Sequence, residues 1–111
     1  MAKLERTINT DFDMLLKRIE DGILGGSVSA SKEGSSYFCS GEAKCAVRVF
    51  ERYSYMGGNR VSLTVTLFQE NNASPVYLSG ITAGGSQAMF VKINTFGEEA
   101  FLKKLAEIID R

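Results

Sequence analysis

Apolar and polar positions along this chain alternate between two periods, and each change of period marks a new element. Phe101, Leu102, Leu105, Ile108 and Ile109 recur at the spacing that sets side chains on one side of a 3.6-residue helix. Thr95 to Arg111 is therefore predicted to be an amphipathic helix laid against a sheet. Thr95 and Glu98 stand at capping-box spacing, each able to satisfy an orphan backbone N–H at the helix start. A second helix is predicted near the N-terminus, capped by Asn9 or Thr10 and stopped by Gly22. Phe12, Leu15, Leu16 and Ile19 form its apolar face, and Asp11 and Asp13 sit in its first turn.

The remaining segments alternate with period two and read as strands. Residues 3 to 9 place Leu4, Arg6 and Ile8 on one side, so Arg6 is a charged member of an inward set. Ser27 to Ser31 and Tyr37 to Cys39 are two short strands, with a turn at Lys32 to Ser35 between them. A second turn at Gly41 to Lys44 leads to the run Cys45 to Met56. In that run Cys45, Val47, Val49, Tyr53 and Tyr55 are predicted to face the core, with Glu51 as the inward exception. Lys44, Arg48 and Arg52 then lie on the other face with Ala46 and Phe50. Gly57 to Asn59 is a hairpin connection, because these residues tolerate positive φ. Val61, Leu63, Val65 and Leu67 alternate with Ser62, Thr64, Thr66 and Phe68, the pattern of a half-buried antiparallel strand. A turn at Asn71 to Pro75 precedes the last two predicted strands, Val76 to Ala83 and Gln87 to Asn94.

These elements predict one α+β domain over residues 1–111: a curved antiparallel sheet of about six to seven strands gripping a long C-terminal helix, with one helix after the first strand. The length of 111 residues suits a single core. Thirteen Lys and Arg balance thirteen Asp and Glu, so no global field favours nucleic acid or an anionic membrane. The N-terminus has no apolar run behind its basic residues, and no segment is apolar for the length of a membrane span. The expectation is a soluble, cytoplasmic, uncleaved protein. The complete lack of histidine removes the commonest general acid–base group and metal ligand. Cys39 and Cys45 lack the short spacing of a zinc site and are expected to be free thiols. No catalytic residue, metal ligand or cofactor is assigned. The triplets Gly25-Gly26-Ser27 and Gly84-Gly85-Ser86 open strands rather than helices and read as turns, not phosphate cradles.

The opening LERTINTDFDMLLKRIEDG, followed by a strand meander and a terminal helix, resembles the START-like or helix-grip superfamily in element order over the whole chain. It is also similar to small bacterial families of unknown function. The START-like resemblance implies a non-catalytic module that takes an apolar or amphipathic small molecule between sheet and helix. On that reading the pocket residues are Arg6, Glu51, Tyr53, Tyr55, Leu63, Val65, Phe101 and Leu105, with Arg6 and Glu51 paired at the mouth if their strands are neighbours and each beyond the core at a strand end, the favoured expectation, if they are apart. The other reading is a homo-oligomeric interaction module without a small-molecule ligand. It predicts that Phe38, Phe50 and Phe68 cluster on the outer face and build a homodimer.

Overall fold

A computed structural model describes residues 1–54, 59–84 and 91–110. The elements follow in the order β1 (Ala2–Ile8), α1 (Phe12–Gly25), β2 (Ser31–Ser40), β3 (Ala43–Ser54), β4 (Asn59–Gln69), β5 (Val76–Gly84) and α2 (Val91–Ile109). The five strands form one sheet in the spatial order β1-β5-β4-β3-β2, with every neighbouring pair antiparallel. Two tight connections follow the expected turn chemistry. Gly41 takes φ of 61° between Ser40 and Ala43, a conformation that only glycine adopts without strain. At 71–75 the Ser74 N–H donates to the Asn71 carbonyl and the Ala73 N–H to the Asn71 side chain. The predicted hairpin at 57–59 reaches into residues outside those described, apart from Asn59, which pairs with Ser54.

The sheet has five described strands, not six or seven. The expected turn at Lys32 to Ser35 is a bulge between Lys32 and Gly34 inside the single strand β2, held in place by its ladder to β3. Ser27 to Ala30 form the loop before that strand, with the Ala30 N–H donating to the Ser27 carbonyl. Of the predicted strand 87–94, residues 91–94 are helical and the rest lie outside the described residues. Helix α2 therefore begins before Thr95. Glu98 stands inside it rather than at its cap, 6% exposed, with its carboxylate 2.9 Å from the Met1 ammonium.

Helix α1 starts on a different cap from those expected. Asp11 is the N-cap, and its carboxylate accepts from the Met14 N–H at 2.9 Å. The helix runs through Gly22 to Gly25. At Gly22 helix α2 packs closely on α1, since a Cβ there would lie 2.6 Å from Ile108 Cδ1. Helix α2 is 19 residues, about 28 Å at 1.5 Å per residue. It touches β1, β5 and β4, and α1 lies beside it over β3 and β4. No single long helix grips the sheet; two helices share one face.

Between these layers Phe12, Leu15, Ile19, Phe50, Leu63, Val65, Leu67, Phe101, Leu105 and Ile108 are each at most 1% exposed. The ladder explains which side of each strand they occupy. Val61, Leu63, Val65 and Leu67 of β4 face the helices, and opposite them on β3 stand Arg52, Phe50, Arg48 and Ala46. The face of β3 is therefore the reverse of the one predicted. Cys45, Val47, Val49, Glu51 and Tyr53 point to the uncovered side. A one-residue change of phase moves every side chain to the other face, and β4 settles which phase holds.

Candidate functional site

The inward face of β3 carries a basic stripe, and α1 supplies its counter-ions. Lys44 Nζ lies 3.3 Å from Asp13 Oδ2, Arg48 Nε 3.0 Å from Glu20 Oε1, and Lys32 Nζ of β2 2.9 Å from Glu20 Oε2. The Tyr37 hydroxyl donates to Asp13 Oδ1 at 2.7 Å, and its ring meets Phe12 edge-on. Long basic side chains can share this interior because their stems pack while their heads reach carboxylates at the rim. The hydrogen bond from Tyr37 holds the Asp13 carboxyl below its usual range, and the same bond pushes the Tyr37 phenol up to about 12. For Glu20, burial works to raise the pKa, but bonds from Lys32 and Arg48 outweigh it and the net shift is downward.

A depressed carboxylate pKa contributes stability above its unfolded value and loses that contribution as pH falls through the folded value. The stability of the chain is therefore expected to decline below about pH 4, the ordinary carboxylate range. Urea midpoints measured from pH 7 down to pH 3 should show it. Glu20→Gln should lower the midpoint at pH 7 and flatten the profile, whereas an unchanged acid slope would disprove the contribution of the Glu20 ion pairs.

The opposite face of the sheet has no described element over it. Register sets its side chains in cross-strand rows. Phe38, Cys45, Phe68, Tyr77 and Thr7 form one row from β2 to β1, and Ser36, Val47, Thr66, Ser79 and Glu5 form the next. Phe38 is 66% exposed, Tyr77 50% and Phe68 41%, so the first row is an aromatic ridge open to solvent. Its charges lie at the margins: Lys3 is 3.9 Å from Glu5, and Arg60 Nε donates to Glu51 Oε1 at 2.9 Å. Beside Tyr77 a depression of about 560 Å3 is lined by Thr7, Thr66, Phe68, Tyr77 and Ser79, with Glu5, Arg6 and Leu78. At the Phe38 end a smaller apolar notch of about 150 Å3 lies among Phe38, Cys45 and Phe68.

The predicted pocket residues are dispersed. Leu63, Val65, Phe101 and Leu105 are core, with sheet and helix in close contact: a Cβ on Gly80 would lie 2.6 Å from Leu105 Cδ2. Arg6 lies on edge strand β1 and donates to its own neighbour's carbonyl, Glu5 O, at 3.0 Å, while Glu51 lies on β3 with β5 and β4 between them. The Arg6–Glu51 pair does not form. Tyr53 is on the uncovered face, its N–H donating to Ser29 Oγ at 3.1 Å, and Tyr55 falls outside the described residues. Phe50 is wholly buried, so the predicted outer trio reduces to Phe38 and Phe68. Tyr77, which pattern reading left out, and Cys45, which it set on the inward face, complete the ridge; Tyr77 could be placed beside Phe68 only by pairing β4 with β5. Cys39 and Cys45 lie on adjacent strands but point to opposite faces, and both are free thiols. Among the described residues no cluster of acidic or sulfur side chains could hold a metal ion, and no helix is long and apolar enough to cross a membrane.

Fold and face together define a two-layer α+β protein whose sheet is covered on one side. The chain belongs to a family of unknown function, DUF6054, whose model matches residues 1–111. No curated protein and no solved structure matches the chain.

Proposed function

We propose that the chain is a protein-interaction module whose uncovered sheet face docks on the same face of a second copy. The observation that carries this reading is the ridge Phe38–Cys45–Phe68–Tyr77, three of its four side chains at least 41% exposed. The ridge has a knob at one end, Phe38, and a hollow at the other, beside Tyr77. A two-fold axis along the strand direction exchanges the two ends and brings each Phe38 over the other copy's hollow, as an isologous interface requires. Neutral Ser, Thr and Val fill the centre and the marginal charges are paired within each copy, so the face meets itself without like-charge repulsion. Five strands about 4.8 Å apart and about eight residues long cover roughly 650 Å2, or about 1,300 Å2 for two copies, within the range of specific interfaces. The small-molecule alternative between sheet and helix lacks comparable support, because the layers are in close contact there.

Sedimentation velocity over a concentration series tests the reading. The chain is expected to be a dimer in the micromolar range, and Phe68→Asp a folded monomer, since a charge at the centre of an apolar ridge would be buried unpaired. Circular dichroism should be unchanged, because Phe68 is not core. A wild-type chain that sediments as a monomer at high micromolar concentration would refute the proposal.

A further inference from the structure

The basic stripe on the covered face outruns its counter-ions. Lys44, Arg48 and Arg52 step four residues at a time along β3, about 13 Å per step. Their partners Asp13 and Glu20 step seven residues along α1, about 10.5 Å. The next carboxylate in that progression would stand near position 27, but α1 ends at Gly25 and the loop continues Gly26-Ser27-Val28. Arg52 therefore meets no carboxylate among the described residues. All thirteen acidic side chains fall within the described residues, and none of them pairs with Arg52.

Arg52 is nonetheless half-buried, and its guanidinium carbon sits 4.5 Å from the centroid of the Phe101 ring. Burial draws its pKa below the ordinary arginine value, the direction expected when a cation is desolvated without a counter-ion. The ring offers a cation–π contact but brings no negative charge. The loop ahead of β2 packs close by, with Ser29 Oγ accepting from the N–H of Tyr53, the residue after Arg52. Its neighbour Ser27 shares a hydroxyl contact with Ser29 at 3.1 Å.

We infer that Arg52, set over the Phe101 ring beyond the end of α1, is the anchor of a binding site for a small molecule carrying a carboxylate or phosphate group. The fork suits either oxyanion, because two parallel N–H donors match two oxygens of each. The site lies on the helix side of the sheet and does not depend on self-association through the other face.

The test follows the Arg52 Nε–Hε resonance of the full-length 15N-labelled chain during separate titrations with inorganic phosphate and with benzoate, at constant ionic strength. Saturable shifts with at least one probe are expected; the probe that saturates identifies the oxyanion. Arg52→Lys should weaken binding about tenfold by removing the two-donor fork, and Arg52→Gln should abolish it, with the amide spectrum confirming that both variants fold. Phe68→Asp should bind as the wild type does, which separates this site from the docking face. Linear shifts with both probes, or saturation that survives Arg52→Gln, would overturn the assignment.

Discussion

Phe50→Ala is expected to destabilise the protein by about 3–5 kcal/mol, while Phe38→Ala and Phe68→Ala, measured on dilute protein, change stability by less than about 1 kcal/mol. Phe50 has no exposed surface and stands opposite Leu63 beneath the two helices. Truncation removes the transfer energy of a ring and leaves a cavity beside Leu63, which is already fully buried. Phe38 and Phe68 are open to water, so little burial is lost with them. Urea unfolding of the three variants decides which face of β3 is the core. Equal, small losses would mean that Phe50 does not face the helices.

Gly80→Val carries the next largest effect, a loss of about 3 kcal/mol, at the upper end of the range for overpacking. The first added carbon alone would sit 2.6 Å from Leu105 Cδ2, 3.5 Å from Leu102 Cδ1 and 3.7 Å from Leu63 Cδ1. Leu105 and Leu63 have no exposed surface, so neither can swing into solvent to make room. The strand propensity gained by Val, at most about 1 kcal/mol, does not offset this. Gly25→Ala is the matched control, because nothing lies within 4 Å of a Cβ there, and it should be neutral or slightly stabilising. Thermal unfolding of both variants gives the comparison. A neutral Gly80→Val would show that α2 does not press on β5 at this point.

Much of this architecture is legible in the residue pattern. The apolar stripes of α1 and α2, the alternation of β4 and the turn after it all have one dominant reading, and each is present. Strand β3 is different, because both of its faces mix apolar and charged residues. Cys45, Val47 and Val49 look like the better core by composition, but Phe50 and Ala46 share a face with Lys44, Arg48 and Arg52. That face becomes interior only once α1 brings Asp13 and Glu20 to meet the cations, a tertiary fact with no local signature. The merging of two short strands into β2 has the same origin: Ser and Gly signal a turn locally, and ladder pairing overrides them.

The site was less legible for a related reason. Leu63, Val65, Phe101 and Leu105 are apolar and convergent, which is equally true of a pocket lining and of a packed core. Only their contact distances distinguish the two. Arg6 and Glu51 drew notice as charges on apolar faces, but Glu51 lies on the uncovered face beside Arg60, where it needs no special partner. The aromatic ridge spans four strands, one residue from each, and becomes visible only when their register is known.

The most direct test of the docking proposal is an isotope-filtered NOE experiment on an equal mixture of labelled and unlabelled chains. A two-fold axis along the strands predicts contacts between the Phe38 ring of one copy and the Tyr77 ring of the other, with none between Phe38 and the α1 residues of the partner. Filtered spectra without intermolecular contacts to Phe38, Phe68 or Tyr77, from a sample whose mass is that of one chain, would contradict it.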